Sequence, residues 1–447
     1  MKKGISIFLM AIVAIISTIF IAPQESQAVP AFARQTGQAC QACHFQHYPA
    51  LNAFGRAFKA GGFTMVGGQS LIEGDLLSIP SVLNASIVLK VRYQKSNGKG
   101  KETTETKEEY VLNPETGLIE LKTTTTTEDT HDTGTNKGEL QFPDEAALFL
   151  GGRVGEHVGF ALEAGLAGEG ADNFTSFKMP IVFKAGGVNL SLIPFTTDAL
   201  GASFGFELLN TGAVRNQRIL EHRSDISAQQ YIGTATAAEG FAFVAAHDMG
   251  FVNFSIWGPS HYASDVGPLS QYFRAAVTPN FGGWDLGAGV QYWGGKTKVG
   301  SDADDAPAGE YNTKAWAVDA QAQGSVGRMP LGIYLTYASA EKSKTGEPAN
   351  VFNSGTNGAK KALAGLVELG VLPNRVTVAV GYRAGDTGAA SNNKQNAAIL
   401  GLAYQFIQNV QLQLDYSRYS GSYYDLAKNN EEKNGDQLIT VMLFTAF

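Results

Sequence analysis

The sequence predicts an all-β fold, an outer-membrane β-barrel of about sixteen antiparallel strands. Apolar and polar residues alternate along stretches of about eight to eleven residues, which is the pattern of a strand with one apolar and one polar face. Such stretches recur from residue 81 to the C-terminal Phe447, joined in turn by short turns and by long polar loops. Transmembrane barrels share this layout, with short periplasmic turns, longer outer loops and aromatic residues at the membrane interfaces.

Composition agrees with a strand-rich membrane protein. The 447 residues include 52 Gly, 26 Phe and 16 Tyr, and only 17% are charged. The net charge of −7 removes the electrostatic case for binding nucleic acid. Beyond residue 28, no stretch approaches the roughly 18 apolar residues of a transmembrane helix. Strands are therefore the expected way for this chain to enter a membrane.

The strands are assigned in chain order from this alternation. Val376, Val378 and Val380 share one face of a strand, opposite Thr377, and the last strand ends on the aromatic Phe447. The sixteen predicted strands are 81–94, 141–153, 157–167, 174–185, 188–196, 237–246, 251–258, 269–278, 283–293, 311–323, 330–340, 358–368, 374–384, 396–405, 410–420 and 437–447.

Two of the long loops stand out. Residues 95–139 are rich in Thr, Glu and Lys and are expected to form a solvated hairpin that turns about Asn113–Gly117. A weak contact of its carboxylates with a metal ion or a partner is the alternative. Residues 197–236 are expected to fold into the lumen, as a long loop does in porins, although Leu200–Thr211 could instead be a strand pair. The cations of this second loop are expected to pair with lumen carboxylates, with anion selection or contact with haem propionates as alternatives; they are Arg215, Arg218, His222 and Arg223.

Residues 1–28 predict export. Lys2 and Lys3 precede an apolar run from Ile5 to Ala22, and residues 26–28 form a small-x-small cleavage site. This is the order of a secretory signal peptide, so the mature chain would begin at Val29. An uncleaved membrane anchor is the alternative.

Cys40, Cys43 and His44 form a C-x-x-C-H sequence that uses both cysteines of the chain. This spacing is the attachment site of a c-type haem. Two thiols three residues apart can form thioethers with the two vinyl groups of one porphyrin, and the next residue presents its imidazole to the iron. A disulfide or a zinc half-site would not require His44, and zinc would need further ligands nearby. We therefore predict one covalently attached haem c with His44 as an axial ligand.

The haem segment is assigned to residues 29–75 and the barrel to residues 76–447. A segment of about 45 residues rarely folds alone without a staple. The haem is one staple, and packing against a large barrel is another. Because a sixteen-stranded barrel has a channel wide enough for a plug, the haem segment is expected to plug the lumen or its periplasmic mouth.

The second axial ligand of the iron is expected to be Met65. It lies 21 residues after His44, far enough for the chain to wrap around the haem, and a thioether ligand raises the reduction potential relative to two histidines. His47 follows too closely to reach the opposite face of the ring and is expected at the surface or the haem edge. His47 remains an alternative to Met65, as does a barrel histidine such as His157 or His247, or the site could be open.

The haem segment resembles the fused monohaem cytochrome–porins of iron-oxidising bacteria, which are outer-membrane ferrous-iron oxidases. The residues that carry the resemblance are Ala31–Gly37, Cys40–His44, Pro49, Leu51, Asn52, Gly55, Arg56, Phe58 and Lys59. The resemblance implies that Fe(II) donates one electron to the haem and that a periplasmic cytochrome c or similar carrier takes it away. A conduit for another electron donor or acceptor, or a solute porin with a structural haem, are the alternatives.

Several charged and polar residues have expected supporting roles. Four in the haem segment are expected to bind haem propionates or the barrel wall: Arg34, Gln35, Arg56 and Lys59. Fe(II) prefers oxygen or imidazole ligands, so three lumen carboxylates are possible waypoints, although ordinary polar lining is the favoured interpretation: Asp285, Asp319 and Asp415.

Overall fold

The computed structural model describes residues 31–75, 77–98, 101–112, 119–130, 138–168, 174–215, 223–261, 269–299, 309–424 and 435–447, with the backbone alone for 101–112 and 119–130. The predicted signal peptide, the start of the haem segment, Arg218, His222 and the predicted turn at Asn113–Gly117 lie outside the described residues.

Sixteen antiparallel strands close into one barrel, as the alternation predicts. Two of the strands are interrupted, each by a short irregular stretch, and are given as pairs below. In chain order the strands are Ala85–Ser96, Glu139–Arg153, Gly159–Gly168, Phe174–Lys178 with Ile181–Ala185, Val188–Thr197, Ala238–His247, Gly250–Gly258, Ser270–Val277 with Asn280–Phe281, Trp284–Gly294, Ala315–Val326, Met329–Ala340, Lys360–Leu372, Val376–Asp386, Asn396–Ile407, Val410–Ser420 and Gln437–Ala446.

The barrel closes where the last strand pairs with the first. Ala446 lies opposite Val88 in this ladder, and Phe447 exchanges two backbone hydrogen bonds with Ile87, of 2.7 and 3.0 Å. The C-terminal aromatic residue therefore completes the ladder at the end of the barrel that carries the short turns.

The two faces of the strands differ as the period of two requires. Outward-facing side chains are large, apolar and exposed, as in Phe241, Phe243 and Val252. Inward-facing side chains are small or polar and buried, as in Ala242 and Asn253. Val378 and Thr377 follow the same rule, because Thr377 is buried and Val378 is half-buried.

In the described part of the chain, three two-stranded sheets lie outside the barrel. Lys101–Leu112 pairs with Ile119–Thr130, which confirms a hairpin in the first long loop. The other two sheets pair Leu71–Gly74 with Leu77–Pro80 and Lys296–Val299 with Gly309–Asn312.

The described parts of the second long loop, residues 198–215 and 223–237, fold into the barrel, and we call them the lumen segment. It contains the 3₁₀ turns Ala202–Phe204 and Arg223–Asp225 and the helix Ala228–Ile232, so the alternative of a strand pair at Leu200–Thr211 is wrong. Its apolar side chains pack with inward-facing barrel residues in one buried cluster that includes Phe206, Leu209, Ile232, Trp257, Trp293 and Ala338.

The N-terminal segment, residues 31–65, contains three helices at Ala31–Thr36, Cys40–Cys43 and Ala53–Ala60. Phe32, Phe58 and Phe63 form its core, with ring centroids 5.0 to 5.7 Å apart. No helix in the described part of the chain is long and apolar enough to cross a membrane.

Candidate haem-binding site

The C-x-x-C-H residues form a single helical turn. The helix Cys40–Cys43 ends at His44, whose backbone N–H donates to the carbonyl of Cys40 at 3.0 Å. Both thiols are half-buried and are not bonded to each other, and burial raises the pKa of both. Residues three apart in a helix lie on the same side, so the turn presents two neutral thiols together.

Asn52 and Gly55 hold the next helix against this turn. The Asn52 side chain donates to the carbonyl of Ala42 at 3.0 Å and accepts from the N–H of Gly55 at 3.0 Å, so it caps two helix ends at once. A Cβ atom at Gly55 would lie 2.2 Å from the carbonyl oxygen of Cys43. Only glycine allows this approach. The capping role of Asn52 and the close approach at Gly55 together explain the N-x-x-G spacing of residues 52–55.

His44 has the properties of an available metal ligand. Its ring is half-buried, and burial lowers its pKa to about 4, although the backbone of Ala50 and Pro49 partly offsets this effect. The imidazole is therefore neutral at pH 7. Its Nδ1 atom is buried, and no described residue forms a hydrogen bond with it. The ring of Tyr48 lies edge-on to it at 5.2 Å between centroids.

Met65 lies at the end of the same segment, with its side chain 40% exposed. Its backbone carbonyl accepts a hydrogen bond of 2.8 Å from the buried side chain of Gln35. Gln35 also donates to the carbonyl of Phe63 at 2.6 Å and accepts from the backbone N–H of Arg153 at 2.9 Å. Met65 is thus anchored through its backbone, and its thioether stays a predicted ligand.

His47 differs from the expectation of a surface or haem-edge residue, because the structure buries it in the barrel wall. Its Nε2 atom lies 2.8 Å from Glu368 Oε2, and Nδ1 lies 3.2 Å from the carbonyl oxygen of Tyr48. Burial alone would lower the pKa of His47, but the charge and hydrogen bond of Glu368 raise it on balance. With both ring nitrogens engaged, His47 is removed from the candidates for the second ligand.

The two barrel histidines are exposed on the barrel wall. His157 stacks on Phe183 at 6.2 Å, and His247 accepts a hydrogen bond of 3.2 Å from the N–H of Met249. The described neighbours of the His44 ring include Tyr48 and the backbone of Pro49 and Ala50, so the structure offers no support for either barrel histidine as the second ligand.

Three of the four polar residues expected to bind propionates or the wall turn toward the barrel. Arg56 donates two hydrogen bonds, of 2.6 and 2.5 Å, to the carboxylate of Asp285 on the ninth strand. Gln35 bonds to the second strand through the backbone N–H of Arg153. Burial lowers the pKa of Lys59, and the charge of Glu207 in the lumen segment partly offsets this. For Arg34 the structure gives no contact that decides between the two roles.

The lumen carboxylates are engaged in the wall, as the favoured interpretation expected. Asp285 holds Arg56, and Asp319 accepts two hydrogen bonds from Arg274 at 2.5 and 3.0 Å and one from Thr211 at 2.6 Å. Asp415 is fully buried on the inward face of its strand. Within the described residues, no group of three or more His, Cys, Asp or Glu side chains is placed to hold a metal ion.

Among the described residues, an anion of the lumen segment forms an ion pair with the barrel wall. Arg274 on the eighth strand contacts Glu207 with Nε 2.8 Å from Oε2, in addition to Asp319. Burial raises the pKa of Asp198, and the positive charge of Arg215 partly offsets this effect. The side chain of Arg223, like Arg218 and His222, lies outside the described residues.

The residues of the C-x-x-C-H turn fit a covalent haem. Cys40 and Cys43 supply two neutral, unpaired thiols on one helical turn, and His44 supplies a neutral imidazole. A structural zinc site would need four ligands, and the described residues offer no cluster of that kind.

Sequence reasoning missed Glu368, Tyr334 and Glu207. A signal was present for Glu368, which is the only acidic residue of its strand and falls on the inward face near a short turn. Tyr334 and Glu207 carried no signal, because a Tyr on an inward face and a Glu in a long loop are ordinary features of a barrel.

No protein-family model matches the chain, and no curated protein matches it. Among solved structures, the chain is similar to the outer membrane channel DcaP of Acinetobacter baumannii, with 12% identity and a TM-score of 0.45 over 82% of this chain and 97% of that chain. It is also similar to OmpT of Vibrio cholerae, with 11% identity and a TM-score of 0.42 over 85% and 100%. OprD from Pseudomonas aeruginosa gives 13% identity and a TM-score of 0.40 over 81% and 93%. Each of these TM-scores is below 0.5, so the likenesses are distant.

Proposed function

We propose that this protein is an outer-membrane cytochrome–porin that oxidises extracellular Fe(II). One electron passes through a single c-type haem, held by Cys40, Cys43 and His44, to a periplasmic carrier such as a cytochrome c. The observation that carries the proposal is the seating of the C-x-x-C-H segment on inward-facing residues of a closed barrel.

The contacts of the N-terminal segment fall at the short-turn end of the barrel. Gln41 donates to the carbonyl of Asn374 in a short turn at 3.3 Å, and Tyr48 stacks on Phe444 near the chain end at 5.5 Å. In outer-membrane barrels the short turns face the periplasm. The haem would then lie on the periplasmic side, within reach of a soluble carrier.

A membrane location is supported by the outer surface of the barrel. Closed barrels cross membranes because every backbone group is bonded within the ladder. The outward-facing residues are apolar over the whole circumference and exposed in the isolated chain, with aromatic side chains such as Phe281 and Trp316 among them. Export through residues 1–28 remains a prediction from the sequence.

The filled interior disfavours an open solute porin. The lumen segment buries Phe206, Leu209 and Ile232 against the wall, and Asn210 bonds to both backbone groups of Leu51 at 2.9 and 3.1 Å. The two inward-folded segments thus meet inside the barrel. A solute needs a continuous water-filled path, whereas an electron does not.

When bound, the haem would accept one electron and pass it on to the carrier. The chain's own residues attach it through the two thiols, orient His44 by the Asn52 and Gly55 contacts, and hold the segment in the barrel through Arg56. Fe(II) is the substrate, and its loss of one electron gives Fe(III).

The test is anaerobic mixing of the purified, detergent-solubilised holoprotein with Fe(II), followed in the haem absorption bands. The expected result is the reduced spectrum with one Fe(III) formed per haem. Dithionite serves as the control for complete reduction, and the Cys40→Ala/Cys43→Ala protein serves as the control without covalent haem.

The possible outcomes separate the candidate functions. If dithionite reduces the haem and Fe(II) does not, the protein is a conduit for another donor or acceptor. If the purified protein contains no covalent haem, the proposal fails altogether. A large single-channel conductance in a planar bilayer would favour the solute porin.

A further inference from the structure

The stretch that follows His44, residues 45–51, which we call the proximal loop, is bound to the barrel wall at a buried carboxylate. His47 Nε2 lies 2.8 Å from Glu368 Oε2, and both side chains are 0% exposed. Tyr334 on the adjacent strand donates its hydroxyl to the other oxygen, Oε1, at 2.7 Å. Gln323 donates to the same hydroxyl at 3.2 Å. The carboxylate therefore links the proximal loop to three neighbouring strands.

Two glycines of the wall leave room for this link. A Cβ atom at Gly332 would lie 2.7 Å from the hydroxyl of Tyr334 and 2.8 Å from Glu368 Oε1. A Cβ atom at Gly370 would lie 2.2 Å from Gln46 Oε1. Side chains at either position would displace the carboxylate or the loop, so the wall is shaped around both.

The backbone of the proximal loop adopts an intrinsically unfavourable conformation at Gln46. Gln46 has φ of +65°, in the left-handed region that residues with a Cβ rarely occupy. Its side chain is buried and accepts a hydrogen bond of 3.3 Å from Thr377. Strain of this kind persists where surrounding contacts over-determine the geometry, and it often marks a functional position.

The loop carries this constraint to His44. Tyr48 follows His47 directly, presents its ring edge to His44 at 5.2 Å and stacks on Phe444 at 5.5 Å. The ring of Tyr48 is therefore placed between His44 and the wall, and its position depends on how His47 is held.

We propose that Glu368 and Tyr334 are positioning residues for the haem site, which hold the proximal loop through His47 and thereby set the reduction potential of the haem that His44 would bind. The inference rests on the proposed function. A buried carboxylate interacts strongly with other charges, because the surrounding dielectric constant is low. Glu368 bonds to His47, three residues along the chain from His44. Ferric haem carries one more positive charge than ferrous haem, so we expect the negative charge of Glu368 to favour the ferric form.

Two variants separate charge from position. Glu368→Gln keeps the shape and the hydrogen-bonding oxygen but removes the charge, whereas Glu368→Leu removes both. Glu310→Gln is the control, because Glu310 pairs with Lys296 on an exposed outer hairpin at 2.7 Å. For each variant the covalent haem is measured by haem stain on a denaturing gel, the potential by anaerobic redox titration, and the ligand field by the ferric electron paramagnetic resonance spectrum.

We expect Glu368→Gln to retain haem and to shift its ferric–ferrous equilibrium toward the ferrous form by about tenfold, which is 59 mV for a one-electron couple. Glu368→Leu should also alter the ferric resonance spectrum, because the proximal loop loses its anchor. Glu310→Gln should match the wild type in both measurements.

The proposal is overturned if the Gln and Leu variants, with full haem content, keep the wild-type potential and ferric spectrum. Should Glu368→Leu fail to assemble, Glu368→Gln and Tyr334→Phe replace it, because Tyr334→Phe removes one hydrogen bond of the carboxylate without changing its charge. The proposal is then overturned if both of these variants keep the wild-type potential and ferric spectrum. Wild-type protein without stainable haem would instead refute the proposed function, so the two failures are distinguishable.

Discussion

Gly55→Ala should loosen the C-x-x-C-H turn without affecting the barrel. The added methyl group would lie 2.2 Å from the carbonyl oxygen of Cys43 and 3.0 Å from its carbonyl carbon. Ordinary carbon contacts lie near 3.5 Å or more, so the backbone of Cys43 would have to move by more than about 1 Å. That carbonyl already accepts the N–H of Asn52 at 3.0 Å, which limits the movement.

The cost of such overpacking is about 1–3 kcal/mol. Since each 1.4 kcal/mol is a factor of ten, the opened population of the segment should rise roughly fivefold to a hundredfold. Proteolysis reports this population when opening and closing are fast relative to cleavage. The assay is the rate at which thermolysin cleaves the N-terminal segment of the intact protein in detergent, followed by mass spectrometry.

Gly61→Ala is the matched control, because it changes a glycine at the end of the same helix to the same residue. Its Cβ atom would lie 3.4 Å from the carbonyl oxygen of Ala57, an ordinary contact. Cleavage of Gly61→Ala should stay close to the wild-type rate. Equal cleavage rates for Gly55→Ala and Gly61→Ala would show that the close approach to Cys43 does not hold the turn.

Three further outcomes are expected. Replacing Cys40 and Cys43 by Ala should give a barrel that still shows heat-modifiable mobility on a gel but has no haem stain after denaturation; haem retained by this variant would contradict covalent attachment. Val378→Lys should impair assembly by about 2–4 kcal/mol if the residue lies near the membrane midplane, as measured by the urea midpoint, whereas Thr377→Lys should displace the proximal loop and leave assembly largely intact. Met65→Ala should open the iron to carbon monoxide and Met65→His should lower the potential; unchanged spectra in both would remove Met65 as the ligand.

The barrel was predictable because its rule is local. In the strand Val376–Asp386, alternate residues face outward or into the lumen, so the sequence itself indicates both the strand and its orientation. The same reasoning recovered all sixteen strands, including Val188–Thr197, which had the weakest pattern. The observed strand ends differ from the predicted ends by a few residues. The strand predicted at 358–368 is observed at Lys360–Leu372, because its apolar C-terminal end continues the ladder.

The contacts between the inward-folded segments and the wall were not predictable in this way. His47 and Glu368 are 321 residues apart, and their meeting depends on strand register and on the rotation of the N-terminal segment within the barrel. The lumen segment was correctly expected to fold inward, but its cations drew attention because they are clustered in sequence. Glu207, which carried no such signal, pairs with the wall, and its carboxylate also accepts the N–H of Leu209 at 2.8 Å.

These contacts bear on where Fe(II) would give up its electron. To bind at Asp285 or Asp319, the metal ion would have to displace Arg56 or Arg274 from a mostly buried pair. Removing one partner of a buried ion pair costs about 3–5 kcal/mol, since the other charge is left without compensation. Fe(II) is therefore not expected to bind at Asp285 or Asp319, and it would have to reach the haem while both pairs stay intact. The two pairs would then serve the structure, because Asp285 holds the haem segment in the barrel and Asp319 holds the wall against the lumen segment.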